Sequence, residues 1–179
     1  MQRARNRGLS ILFVLLAGAA APALADNDCV DFKWDVSKER ALFAQAPLEL
    51  SAGKDPMSAP GVVPNRLYKL RLDVQDRVVF SAPPGRKMTA TPAFAGLAKL
   101  SIAAPGSYRI AIDLPIWIDM VSNGNLVQPT DYQGQHACAA PHKIVVFDLA
   151  GAQSVILQFS NASQDDVLLT VTAAPPRKL

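Results

Sequence analysis

The sequence has 179 residues, half of them hydrophobic, with a formal net charge of +3, two histidines and two cysteines. Three arginines near the start, Arg3, Arg5 and Arg7, account for the whole net charge, because the rest of the chain carries equal numbers of basic and acidic side chains. The composition therefore gives no argument for nucleic acid as a partner. The remaining chain has the size of one domain with a real hydrophobic core.

Residues 1–25 have the pattern of an export signal. The three arginines precede an apolar run at residues 9–21, and Ala23 and Ala25 supply the small residues that a signal peptidase needs. We expect cleavage between Ala25 and Asp26 and export by the general secretory route, because the arginines are not paired. No other apolar run approaches the roughly 20 residues of a membrane helix. We therefore expect a protein of the Gram-negative periplasm with no membrane insertion after cleavage.

Residues 26–46 are predicted to form an N-terminal segment with one short helix. Good helix formers occupy residues 38–45, and Asp35 or Ser37 precedes them as a candidate capping residue. A helix of about two turns needs packing to be stable. Phe32 and Trp34 are therefore expected to pack beside it on the sheet.

Residues 47–174 are predicted to form a β-sandwich domain, and residues 175–179 a flexible tail. A short strand at 48–50 is followed by a loop rich in proline and glycine. Asn123-Gly124 predicts a tight hairpin. The later predicted strands are 67–74, 77–80, 94–102, 107–113, 116–121, 126–127, 143–149, 154–159 and 166–172.

The later strands, nine if the short return at 126–127 is counted, predict an all-β fold: an antiparallel β-sandwich or jelly roll of about eight or nine strands with one short N-terminal helix. Strands do not alternate with helices, which argues against a parallel doubly wound sheet.

The segment from Tyr132 to Lys143 holds both histidines, His136 and His142, and Cys138. In an exported protein, two cysteines most simply form one disulfide, here Cys29–Cys138. Imidazole and thiolate also suit zinc or copper. The two uses of Cys138 compete, but His136, His142 and Asp131 could still bind metal if the disulfide forms. In the simpler interpretation Cys138 tethers the segment, the histidines are ordinary surface and strand residues, and no cofactor is bound.

Trp117 and Tyr132 are candidates for a ligand platform, although a buried tryptophan is also typical of a sandwich core. The sequence holds no nucleophile elbow, His-Glu-x-x-His motif or phosphate-binding loop. It therefore predicts no catalytic residue. The absence of these motifs argues against an enzyme without deciding the question.

Several segments share a strand rhythm with a known family: Ala104-Pro-Gly-Ser-Tyr-Arg-Ile-Ala-Ile-Asp113, Trp117-Ile-Asp119, Phe147-Asp-Leu-Ala-Gly151, Val155-Ile-Leu-Gln-Phe159 and Val167-Leu-Leu-Thr-Val171. Over residues 98–172 the chain thereby resembles bacterial pre-peptidase C-terminal (PPC) domains. The resemblance implies a small exported jelly roll that serves as an accessory or binding module.

The Gly134-Gln-His-x-Cys and His142-Lys143 elements are also similar to those of small exported proteobacterial proteins of uncharacterised function. Such proteins are sometimes labelled homogentisate 1,2-dioxygenase. Enzymes of that kind are much larger cytoplasmic cupins with non-haem iron, whereas this chain has two histidines.

The leading hypothesis is a periplasmic binding or accessory protein without catalytic activity, whose partner is an unidentified protein or small ligand. The alternatives are a zinc- or copper-binding protein that uses His136 and His142, or a small metal-dependent enzyme of the dioxygenase type.

Overall fold

The structure, a computed structural model, describes residues 32–87, 91–135, 138 and 140–175. Its single described helix, α1 (Ser37–Phe43), lies within the segment predicted to be helical. The carboxylate of Asp35 accepts a hydrogen bond from the backbone N–H of Ser37 at 2.9 Å. No helix in these residues is long and apolar enough to cross a membrane.

Twelve strands occupy the described part of the chain. They are β1 Leu48–Ser51, β2 Gly61–Val62, β3 Leu67–Arg71, β4 Asp73–Val74, β5 Phe94–Ile102, β6 Gly106–Ile112, β7 Trp117–Ser122, β8 Asn125–Val127, β9 Asp131–Gly134, β10 Lys143–Leu149, β11 Gln153–Ala162 and β12 Asp166–Ala173.

The strands form two sheets, and the all-β sandwich with one short helix is confirmed. Sheet A has the order β1-β3-β12-β6-β10-β9, and sheet B has the order β2-β5-β11-β7-β8, with β4 also paired to β5. Most pairs are antiparallel, as predicted, but β1 runs parallel to β3 and β2 runs parallel to β5. These short edge strands make both sheets mixed.

The core lies between the two sheets. Sheet A contributes Ile110 and Phe147, and sheet B contributes Leu100, Leu157 and Phe159, all fully buried. Burying these apolar side chains is the main contribution to the stability of such a fold.

Both sheets are also covered on their outer faces, which explains why several strands are apolar on both sides. On sheet A, Phe32 and Val36 of the N-terminal segment pack on Ala111 and Ile144. On sheet B, Val78 and Phe80 pack with Leu97. The N-terminal segment and the loop after β4 therefore act as covers for the sandwich.

The structure differs from the sequence prediction at short elements. The predicted strand 67–74 ends at Arg71, and after Leu72 the chain crosses to sheet B as β4. Residues 77–80 are not a strand, because they lie on the outer face of sheet B after a 3₁₀ turn at Gln75–Arg77. The strands β2 and β9 have no counterpart in the prediction, so the count exceeds eight or nine.

The Asn123-Gly124 hairpin is confirmed. Both residues have positive φ, 50° and 76°, and they join β7 to β8. Asparagine and glycine tolerate this left-handed conformation, which a two-residue hairpin turn requires. The turn leads into β8, which ends early, at Val127.

Candidate functional site

The two sheets separate at the edge where β8 ends. β8 pairs only with Met120–Ser122 of β7, so residues 117–119 have no strand neighbour on that side among the described residues. The chain then passes through residues 128–130 to β9 of sheet A. The gap between β7–β8 and β9–β10 is a cavity of about 690 Å³, which we call the Trp117 cleft.

The inner wall of the Trp117 cleft is apolar. Val145 and Phe147 of β10 line it from sheet A, and Leu126 and Val127 line it from β8. Tyr132 of β9 also lines it, and this ring is 68% exposed. The volume lies within the roughly 300–1,000 Å³ that is usual for small-molecule sites.

Trp117 is held in place by Asp119, two residues later on the same face of β7. The indole N–H donates to Oδ1 of Asp119 at 2.8 Å. The other oxygen, Oδ2, accepts from the backbone N–H of Gly85 at 3.0 Å and from the side-chain amide of Gln158 at 3.4 Å. Asp119 is 8% exposed, so neutral donors stabilise a nearly buried carboxylate.

The loop that contains Gly85 approaches the carboxylate of Asp119 closely. A Cβ atom at Gly85 would lie 2.9 Å from Oδ1 of Asp119, so the close approach of the loop requires glycine. The next residue, Arg86, is placed at the cleft by this contact.

Two cations lie beside the indole. The guanidinium carbon of Arg86 is 5.7 Å and Nζ of Lys143 is 5.2 Å from the centroid of the Trp117 ring, within cation–π range. Nζ of Lys143 also donates to the backbone carbonyl of Ile116 at 2.8 Å. Burial lowers the pKa of Lys143, and the positive charge of Arg86 lowers it further, while Asp119 acts in the opposite direction.

The predicted platform residues Trp117 and Tyr132 therefore line one cavity. Their role in binding a ligand stays a prediction. Sequence reasoning missed Arg86, which stands in a proline-rich loop, and Asp119. The spacing Trp117-x-Asp119 on a strand was the available signal, because side chains two residues apart share a face.

Cys138 lies away from the cleft. It is fully buried on the outer face of sheet A, with Phe32, Val36 and Ile144. Its predicted partner, Cys29, lies outside the described residues, so the disulfide stays a prediction.

The three predicted metal ligands, Asp131, His142 and His136, differ in their contacts and in whether the structure describes them. The Asp131 carboxylate forms an ion pair with Lys33 at 2.5 Å. The backbone of His142 bonds to Ile112 and Gln135, and its side chain is partly buried. His136 lies outside the described residues. Within the described ranges, no three side chains of the metal-binding types gather. A zinc or copper site built on His136 and His142 thus stays a prediction.

Comparison of the chain with models of known protein families finds no match. Comparison with curated proteins likewise finds no match.

Proposed function

We propose that this protein is an exported, periplasmic binding protein and that the Trp117 cleft is its ligand site. The observation that carries the proposal is the cavity of about 690 Å³ at the edge of the buried core. Protein interiors are close-packed, with few voids larger than a water molecule. An open apolar cavity with a few converging polar groups is the usual form of a small-molecule site.

The side chains and the loop of the cleft are held in position by hydrogen bonds, which supports the same function. Trp117 is fixed by the bond to Asp119, and Gly85 fixes the adjacent loop to the same carboxylate. A site whose groups are already in position binds with a smaller loss of conformational freedom. The proposal assigns no reaction to the cleft, in keeping with a binding or accessory module of the kind that the PPC resemblance implies.

A neutral fluorescent probe tests the proposal. The chain has two tryptophans, so a Trp34→Phe variant leaves Trp117 as the sole donor for energy transfer to bound N-phenyl-1-naphthylamine. We expect saturable binding at one site per chain. Removing the aromatic ring of Tyr132 by Tyr132→Ala should weaken binding by about twofold to twelvefold, the effect of one aromatic contact of about 0.5–1.5 kcal/mol.

Met57→Ala is the matched control, because Met57 is an exposed apolar side chain, 96% exposed, that does not line the cleft. It should leave the affinity unchanged. The proposal is wrong if the probe does not bind saturably, or if Tyr132→Ala and Met57→Ala have the same affinity as the parent protein.

A further inference from the structure

We infer that the ligand of the Trp117 cleft is a small organic carboxylate, whose anionic head lies between Lys143 and Arg86 and whose apolar body lies along β8 and β10. This inference rests on the proposed function, because it names the chemical class that the same site would bind. Its first support is the balance of charge in the cleft, its second the number of unused donors and its third the apolar wall.

The charge in the cleft is not balanced by the protein. Asp119 is the one carboxylate among the described residues that line it, and all its hydrogen bonds come from neutral donors. In the described part of the chain, no ion pair joins Arg86 or Lys143 to a carboxylate. The lining therefore carries two cations and one anion, which leaves a net positive charge for a ligand to complement.

The two cations also retain hydrogen-bonding capacity. An ammonium group has three donors, and Lys143 uses one of them on the carbonyl of Ile116. Arg86 is exposed, and its guanidinium group offers five donors. Charge-assisted bonds from such donors to a carboxylate are about twice as strong as neutral ones. Both cations lie beside the Trp117 ring and line the same cleft, so a carboxylate bound between them would be attracted by both charges.

The apolar wall of the cleft favours an apolar body for the part of the ligand beyond its carboxylate. Val127, Val145 and Phe147 offer no polar side-chain atoms to a ligand body. The hydroxyl groups of a neutral sugar need acceptors as well as donors, and three of the roughly four acceptor sites of the Asp119 carboxylate are already used. An apolar or aromatic body with a single carboxylate satisfies the cleft better than a neutral sugar does.

Three probes that share one carbon skeleton test the inference by calorimetry on the purified protein. They are 4-phenylbutanoate, its neutral amide 4-phenylbutanamide, and the cation 4-phenylbutan-1-amine. We expect the carboxylate to bind at least about tenfold more tightly than the amide, the value of one charge-assisted hydrogen bond. The cationic probe should bind more weakly than the amide.

Two variants test whether Arg86 and Lys143 cause the preference for the carboxylate over the amide. Arg86→Gln should reduce the ratio of carboxylate to amide affinity by about threefold or more, and Lys143→Met should remove most of the rest. Arg71→Gln is the matched control, because Arg71 is an exposed arginine of β3, at the opposite side of sheet A from β9. Arg86 is exposed, so its variant should fold even if Lys143→Met does not.

Each result separates the inference from the proposed function. If the amide binds as tightly as the carboxylate, and Arg86→Gln changes nothing, the cleft binds neutral ligands and the inference is wrong while the binding function stands. If N-phenyl-1-naphthylamine binds but the carboxylate does not, the inference is again wrong. If N-phenyl-1-naphthylamine itself does not bind saturably, the proposed function is wrong.

Discussion

At the scale of single residues, Lys143 is a partly buried cation that lines the Trp117 cleft. Its ammonium group is held inside the Trp117 cleft, where the titratable or charged groups facing it are Arg86, Asp119 and Tyr132. Its pKa lies below the ordinary value of 10.5, chiefly because of burial. The unfolded chain therefore binds more protons than the folded one between the lowered pKa and 10.5. The folded state consequently gains stability as the pH rises through that interval.

A variant without this group should lack that gain. The quantity to compare is the free energy of unfolding of the parent protein minus that of Lys143→Met. We expect this difference to increase with pH between the lowered pKa of Lys143 and 10.5, and to become constant above 10.5. Urea unfolding at a series of pH values measures this difference. A difference that stays constant or decreases over that range would show that Lys143 is not desolvated in the fold.

At the scale of single residues, the sequence identified the aromatic members of the cleft but not the polar ones. Trp117 and Tyr132 are prominent because large aromatic side chains are few. Arg86 could not be recognised, since its place beside Trp117 depends on the contact between Gly85 and Asp119, two segments far apart in the chain.

Among the elements, α1 is attached to sheet A by a buried ionic contact. Glu39 is 1% exposed, and its Oε1 lies 3.4 Å from Nη1 of Arg109 on β6. The hydroxyl of Thr172 donates to the same oxygen. Arg109 also donates to the carbonyl of Asp35 at 2.8 Å and lies over the ring of Trp34. A helix of seven residues depends on such tertiary contacts.

Removing one partner of this contact should be more harmful than removing both. Arg109→Met leaves a buried carboxylate without its cation and should cost about 3–5 kcal/mol of unfolding free energy. The double variant Glu39→Leu with Arg109→Met removes both charges and should be more stable than Arg109→Met alone. Urea unfolding measures both values.

Lys38→Met is the control on the same helix, because Lys38 is exposed. It should change the stability by less than about 0.5 kcal/mol, as is usual for surface substitutions. If Arg109→Met costs no more than Lys38→Met, the buried pair does not hold the helix on the sheet.

The elements that the sequence did not predict are those specified by their neighbours. Asp131–Gly134 has no apolar alternation, and it becomes β9 through its hydrogen bonds to β10. Residues 77–80 have the composition of a strand, but Val78 is buried against Leu97, and Val79 bonds to Lys54 through the backbone instead of joining a sheet. By contrast, Phe94–Ile102 and Lys143–Leu149 match their predicted bounds, because continuous apolar runs in a sandwich are buried on both faces.

For the whole molecule, composition and strand rhythm were sufficient to predict the all-β sandwich, since many short strands with turn signals have few other ways to bury their apolar faces. They could not predict the cleft. It forms because β8 ends after Val127 and the chain crosses to the other sheet. Such an opening depends on the spacing between two sheets, which no local pattern encodes.

A ¹H–¹⁵N NMR titration of the protein with 4-phenylbutanoate tests directly whether the Trp117 cleft binds a carboxylate. We expect saturable shifts at the indole N–H of Trp117 and at the backbone amides of Gln128 and Gly134, all in residues that line the cleft. Amides of β1 and β3, at the far side of sheet A, should not move. Shifts confined to β1 and β3, or no shifts at high probe concentration, would contradict a carboxylate site in the Trp117 cleft.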